Sequence, residues 1–259
     1  MENIRELFEA LRPVSLDDMN ERAALQRRTD NTYLVPLDAL VSLVEDVGDE
    51  HEVLEIDGER LFDYESTYFD TPSLECFHDH IRDRTPRYKA RTRCYVTTGD
   101  CFFEVKVKRE DGETAKRNVE YDPDERGRIE PAASDLLDDV LPAYGLGDRA
   151  RDLQPSLVTQ FRRATVVARD RPERTTFDFA VSLRIPDGDV VDLGDQFAVA
   201  ETKTPDGSGA WDLAFAEAGF EPVSFSKYRA GAGLLRAPGE DDDYTRDFKK
   251  LFAARGRSR

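Results

Sequence analysis

The sequence predicts an α+β fold in which an eight-stranded antiparallel sheet forms a tunnel-like β-barrel with peripheral helices. Three observations carry that expectation. About eight segments read as strands, most joined by tight hairpin signals such as Thr98-Gly99-Asp100 and Asp111-Gly112. Antiparallel strands in this number commonly close, because closure removes exposed edges. Several of the strands alternate charged with apolar residues, and four or five helical segments need a surface to pack on, so the charged face can turn inward.

In chain order, residues 3–11 form a short helix limited by Pro13. Residues 25–36 read as a strand ending at Pro36, and residues 38–47 as an amphipathic helix opened by Asp38. The aromatic-rich run 60–70 is a long strand stopped by Thr71-Pro72, and 73–80 is helical or irregular. Strands follow at 87–94, 101–108 and 114–121, then a helix at 134–145 interrupted by Pro142. Residues 157–169, 174–185 and 190–203 are further strands, the last two joined through Pro186-Asp187-Gly188-Asp189. Helices are expected at 211–219, ended by Gly219, and at 224–235, with Ser226 as cap. The expected domain limits are a helical extension at 1–24, the main domain at 25–237 and a polar, loosely held tail at 238–259.

The chain has 259 residues, a formal net charge of -17, 54 acidic side chains and 37 Lys plus Arg. That length can bury a sizeable core. Of the cations 29 are Arg and 8 are Lys, a balance that points to a halophilic protein whose acidic surface stays solvated in high salt. Six of the surviving lysines, Lys89, Lys106, Lys108, Lys116, Lys203 and Lys227, fall on strands or at a strand-to-helix junction. So negative a chain is not a general nucleic-acid binder, although a polyanion can still bind in a cavity. No apolar run approaches the roughly 18 residues of a membrane span and the start is acidic, so a soluble, cytoplasmic protein is expected. Cys76, Cys94 and Cys101 are odd in number and lack CxxC spacing. Neither a disulfide framework nor a zinc site is indicated, and a reduced compartment fits.

The stretch 87–117 concentrates the cations. Arg87, Lys89, Arg91 and Arg93 occupy alternate positions, as do Glu104, Lys106 and Lys108, while Tyr88, Ala90, Thr92, Cys94, Cys101, Phe103, Val105 and Val107 fall on the other face. Like charges opposite one another repel, so an anion is expected between them. The alternative is a solvated sheet face with surplus Arg and Lys. Elsewhere Glu201 and Lys203 share a face, as do Phe161, Arg163 and Thr165, and Arg174, Thr176 and Asp178. Lys227, beside the positive end of a helix dipole, is expected to face an anion. His51, His78 and His80 show no metal spacing, and Trp211, Phe215 and Phe220 read as helix packing rather than a base-stacking platform.

With these residues laid out, the chain resembles the VTC domain, the polyphosphate polymerase domain of the triphosphate tunnel metalloenzyme superfamily. The resemblance runs from Gln26 to Leu235 on motifs in order: YFDT at 68–71, His80, RYKARTR at 87–93, FEVKVK at 103–108, KR at 116–117, FRRA at 161–164, ETK at 201–203 and SFSKY at 224–228. It implies a tunnel whose inner wall of Arg and Lys holds triphosphate or polyphosphate, with Mn²⁺ or Mg²⁺ on inward carboxylates. Carried over by motif, Arg91, Arg93, Lys106, Lys116, Arg163 and Lys227 are the catalytic phosphate ligands. Arg28, Arg87, Lys89, Lys108, Lys203 and Ser226 are further phosphate-binding candidates. Glu201 is the metal carboxylate, and Glu104 a candidate second acid or, equally, a salt-bridge partner that keeps Lys106 in place. The first strand departs from the pattern: Thr32 stands where a lysine is usual, Arg28 is the candidate substitute, and Arg28 and Asp30 replace the acidic pair of the adenylyl cyclase and thiamine triphosphatase branch.

The implied activity is a polyphosphate polymerase-like phosphotransferase that moves the γ-phosphate of ATP or another triphosphate onto a polyphosphate chain. The alternatives are a metal-dependent inorganic triphosphatase and a non-catalytic polyphosphate-binding module. The resemblance also admits a membrane partner that receives the product, although no membrane segment is read in this chain.

Overall fold

The computed structural model describes residues 2–23, 28–186, 188–194, 196–249 and 251–255. Residues 25–27 of the first expected long strand, Asp187 of the expected turn, and Lys250 and 256–259 of the tail lie outside them. In chain order the elements are α1 (Glu2–Glu9), β1 (Arg12–Val14), α2 (Leu16–Arg22), β2 (Thr29–Pro36), α3 (Leu37–Val47), β3 (His51–Leu54), β4 (Phe62–Asp70), α4 (Glu75–Ile81), β5 (Arg87–Tyr95), β6 (Cys101–Lys108) and β7 (Thr114–Glu120). They continue with α5 (Pro131–Val140), β8 (Gln154–Ala168), β9 (Arg174–Arg184), β10 (Val190–Asp192), β11 (Phe197–Thr204), α6 (Ala210–Glu217), α7 (Lys227–Leu235), α8 (Asp242–Lys249) and β12 (Ala253–Arg255). The chain divides into two compact units.

The first unit comprises Met1–Phe62, Phe161–Val181 and Leu193–Phe225. Here β11 pairs antiparallel with both β2 and β9, so that Glu201 stands opposite Thr32 and Thr176, and Lys203 opposite Asp30 and Arg174. α3 buries Leu40, Leu43 and Val44 at helical spacing. α1 lays Phe8 against Phe177 and Phe179 at ring distances of 5.6 and 5.9 Å, so the N-terminal helix is part of this core. At the start of α6, the buried carboxylate of Glu173 accepts from the amides of Ala210 and Trp211 at 3.0 and 3.2 Å, satisfying helix-end donors. Gly209 permits that approach: a Cβ there would lie 2.6 Å from the carboxyl carbon.

The second unit comprises Asp63–Gln160, Ser182–Asp192 and Ser226–Arg259. Its sheet runs β4, β5, β6, β7 in antiparallel order, with β8 on the other side of β4. Tyr88, Ala90, Phe103, Val105 and Val107 on one face pack with Leu136 and Leu137 of α5. A second cluster joins Tyr68, Phe77, Leu157, Tyr228 and Ala232. Gly231 lets α7 lie close to β8, since a Cβ there would sit 2.5 Å from the Leu157 side chain.

The α+β class and the antiparallel pairing match the expectation, and the closed eight-stranded barrel does not. Among the described residues the sheet has twelve strands, and its ordered path ends at β7 and β12 instead of closing. β7 pairs with β6 alone and shows no buried face, as an edge strand does. β1, β3, β10 and β12, with three or four residues each, are too short to display an alternation. The expected strand 190–203 is two strands, parted where Gly194 takes a φ of 79°. The polar tail is α8 and β12, held by Phe248, which is buried and packs on Tyr244 at 4.9 Å, and by the pairing of β12 with β10.

The cysteine reading is also corrected. Cys94 and Cys101 form a disulfide. They are direct cross-strand partners in the β5–β6 register, with Cα atoms 4.0 Å apart, a proximity set by the hairpin and not by CxxC spacing. The ground for expecting a reduced compartment falls with it.

Candidate functional site

The alternation read in β5 and β6 is real. Along β5 every second residue from Tyr88 to Cys94 is buried, and Arg87, Lys89, Arg91 and Arg93 lie on the more open face. The register turns that face into rows: Tyr68, Arg91, Glu104 and Asn118 form one, and Lys89, Lys106 and Lys116 the next. Cross-strand neighbours in such rows have Cβ atoms about 5 Å apart.

Glu104 organises the first row. Arg91 donates to its Oε2 from Nε at 2.8 Å and from Nη2 at 2.6 Å, Arg93 Nε lies 3.9 Å from the same oxygen, and Lys116 Nζ is 2.5 Å from Oε1. The remaining Arg91 nitrogen, Nη1, donates to the Tyr68 hydroxyl at 2.8 Å. Burial pushes the Glu104 carboxyl up, but Arg91, Arg93 and Lys116 together hold it down at about 2. At Tyr68 burial likewise raises the phenol, and Arg91, then Arg93 and Lys227, outweigh it and lower it. Glu104 is only 3 % exposed. A divalent ion there would have to lie against three cationic heads, which does not suit a metal ligand. Glu104 is thus the counter-ion of Arg91, Arg93 and Lys116.

The second row consists of lysines alone. Lys89 Nζ donates to Ser226 Oγ at 3.3 Å, and that hydroxyl also caps α7 by accepting from the Arg229 amide at 3.4 Å. Burial and then Lys106, Arg91 and Arg87 push the Lys89 amine down to about 7. Burial also lowers Lys116 in spite of Glu104. His80 of α4 adjoins this row; burial, followed by Lys89, Arg87, Arg229 and Lys106, lowers it to about 3, so its imidazole is neutral. Lys227 opens α7 directly after Ser226. Two expected ligands turn to loops instead: Arg87 Nη1 pairs with Asp83 at 2.8 Å, and Lys108 Nζ donates to the Gly112 carbonyl at 2.5 Å.

The first unit carries its own charged face on β11, β2 and β9. Arg163 holds Asp178 through two bonds of 2.6 and 2.8 Å. Lys203 contacts Glu201, and burial, then Arg163, lowers its amine strongly, with Arg174 and Arg28 adding to the effect and Asp30 opposing it. Arg28 Nε binds Asp30 at 2.7 Å. Among the described residues no cluster of three or more His, Cys, Asp or Glu is arranged to hold a metal. Glu201, whose side chain is 38 % exposed, is a hard oxygen donor open to solvent. It fits a divalent cation that takes its other ligands from phosphate and water.

Residues 27–236 match the family model of the VTC domain. The chain belongs to the VTC domain family. Among solved structures, the chain is similar to HpAC1 of Hippeastrum, a candidate adenylyl cyclase described as having a dominant triphosphatase activity, at 15% identity and a TM-score of 0.50 over 82% of this chain and 99% of that one. It is also similar to a candidate adenylate cyclase of Bacillus halodurans, at 12% identity and a TM-score of 0.48 over 77% and 94%. The likeness to HpAC1 is one of fold alone. No curated protein matches the sequence.

In this VTC domain the motifs are tied together by residues that sequence reasoning passed over. Asp70 of YFDT accepts from the amides of Thr71, Cys76 and Phe77 at 2.8, 2.9 and 3.0 Å, and from the Tyr228 hydroxyl of SFSKY. Arg229, next in line, is clamped by Asp241 at 2.6 and 2.9 Å with its guanidinium 3.9 Å from the Tyr244 ring centroid. The signal for Asp70 was present, since an Asp-Thr-Pro ahead of a helix is a capping sequence. For Asp241, in a tail read as loose, there was none. No described helix is long and apolar enough to cross a membrane.

Proposed function

We propose that this VTC domain is a phosphotransferase that binds the phosphates of a nucleoside triphosphate on the open face of β5, β6 and β7 and transfers the γ-phosphate to a polyphosphate chain. The observation that carries the reading is the row Lys89, Lys106 and Lys116, three lysines side by side on adjacent strands of a chain with net charge -17. Holding them together costs free energy, visible in the depressed Lys89 amine, and a bound polyanion offsets that cost.

Phosphoryl transfer asks for positioning and charge neutralisation more than covalent chemistry. A terminal oxygen of the acceptor chain bonds to the γ-phosphorus, the bond to the bridging oxygen breaks, and, with ATP as donor, ADP leaves. Arg91, with its fork fixed by Glu104 and Tyr68 before substrate arrives, is a preorganised donor to the equatorial oxygens. Lys89, Lys106 and Lys116 supply point charges. In the first unit, Glu201 would hold a divalent cation, Mn²⁺ or Mg²⁺, whose chemistry is the neutralisation of phosphate charge. Arg163, Lys203 and Arg28 are proposed as phosphate-facing cations of the first unit, and Lys227 and the Ser226 hydroxyl as phosphate ligands at the start of α7. Water in place of the acceptor chain would make the same site a triphosphatase.

Binding without turnover is the second reading, and Thr32 favours it, since a neutral residue stands opposite Glu201 where the family pattern has a cation. Incubation with ATP and Mn²⁺ in high salt separates the outcomes. Long phosphate chains on a gel support the polymerase, orthophosphate release the triphosphatase, and binding with neither product the module. Replacing Arg91 and Arg93 together by Ala abolishes anion binding in all three; unchanged binding would overturn the site.

A further inference from the structure

The cationic face continues past Arg93 into aromatic residues. The next residue outward on the same face of β5 is Tyr95, which stands opposite Tyr64 of β4 with ring centroids 4.9 Å apart. Phe102, the β6 partner of Arg93, meets Tyr95 edge-on at 6.1 Å. All three rings are partly exposed, whereas the aromatic residues of the opposite face, Tyr88 and Phe103, are buried. Beyond them the charge changes sign. Glu120, exposed, is the β7 partner of Phe102, and Asp100 closes the hairpin next to Tyr95.

A bare phosphate chain is repelled at this end of the face, because its neighbours there are rings and carboxylates. A nucleoside suits it. Stacking on an aromatic side chain tolerates any base, since every base has a π-face. The step from Tyr95 to Arg93 is two strand residues, about 7 Å, which leaves room for a ribose between ring and guanidinium. An exocyclic amine of a base is a donor that Glu120 can accept.

We infer that Tyr64, Tyr95 and Phe102 form the stacking subsite for the base of the nucleoside triphosphate. This fixes the direction of the substrate on the face: base at Tyr95, first phosphate at Arg93, and the remaining phosphates toward Arg91 and the lysine row. The inference rests on the proposed phosphate-binding face and adds the nucleoside end to it. Tyr95 and Phe102 then act on nucleotides and are indifferent to inorganic chains.

The test is isothermal titration of the whole chain with ATP and, separately, with inorganic tripolyphosphate. Tyr95→Leu and Phe102→Leu are each expected to weaken ATP binding roughly ten-fold while tripolyphosphate affinity stays within about two-fold. Tyr95→Phe retains a ring and is expected to bind ATP as the unmodified chain does. Tripolyphosphate binding also reports that each variant is folded. Equal losses for both ligands, or no loss for ATP, would overturn the subsite and leave the phosphate face standing. Failure of the unmodified chain to bind tripolyphosphate would overturn the face, and the subsite with it.

Discussion

Tyr228 donates its phenolic hydrogen to Asp70 across 158 positions of sequence, and the two rings nearest that bond, Tyr68 and Tyr228, stack at 5.0 Å. One buried carboxylate thus caps α4 and anchors α7, the helix whose first turn presents Ser226 and Lys227. Asp70→Ala leaves several buried donors without an acceptor and is expected to cost about 3 kcal/mol of stability, while Tyr228→Phe costs about 1 to 2 kcal/mol. Urea unfolding measures both. Tripolyphosphate affinity should fall with Asp70→Ala, because α7 loses its anchor.

Glu104 is predicted to trade stability against affinity. Glu104→Gln leaves Arg91, Arg93 and Lys116 without their counter-ion and is expected to destabilise the free protein by about 3 kcal/mol. Added tripolyphosphate should raise the melting temperature of the variant by more than it raises that of the native chain. A metal-binding Glu104 would give the reverse, a loss of ligand stabilisation. The pH dependence has a fixed sign. The folded carboxyl is held down at about 2, against 4.5 for a free glutamate, so its contribution is full above about pH 4.5 and is lost as pH falls toward 2. The amount is about 3 kcal/mol, checked by denaturation from pH 6 downward in native and Gln forms.

Lys89 behaves oppositely. Its amine is lowered to about 7 from 10.5, so between those values the unfolded chain binds a proton that the folded one does not. That difference destabilises the fold increasingly as pH falls from 10.5 to 7, and stability rises with pH across this window. A phosphate ligand restores the charge, so binding at pH 8 should take up close to one proton, read from titrations in buffers of different ionisation heat. Lys89→Met is expected to stabilise the free protein at neutral pH, to weaken tripolyphosphate binding and to abolish the proton uptake.

What could be read from the residues alone followed from period two. The faces of β5 and β6 were legible because nine and eight residues are enough to show alternation, whereas three- and four-residue strands such as β1 and β10 show nothing. Pairing was not legible where it depends on register. Arg163 and Asp178 face each other only once β8 and β9 are aligned, and Cys94 meets Cys101 only once the hairpin turn is set. Closure failed as an expectation for a related reason: counting strands does not say whether the last one finds an edge, and among the described residues β7 has a single neighbour. The cations around Glu104 of β6 come from β5 and β7, so only the register brings Arg91, Arg93 and Lys116 to it.

Thr32 and Glu201 frame the last prediction. They are direct partners across β2 and β11, with Thr176 on the other side of Glu201 and the Lys203 amine as its ionic contact. If Glu201 holds a divalent cation, Glu201→Gln removes Mn²⁺-dependent turnover and spares most of the tripolyphosphate affinity, because it takes away a carboxylate and no cation. Thr32→Lys acts the other way, since it places an ammonium opposite that carboxylate. It is expected to tighten tripolyphosphate about ten-fold, the order of one added charge-assisted contact. Were the native chain a binding module disabled by Thr32, the lysine variant alone would make polyphosphate from ATP. Chain synthesis by the native protein, with Thr32→Lys changing affinity and not product, shows that the first strand has no need of the lysine and that the cations of β5 to β7 suffice.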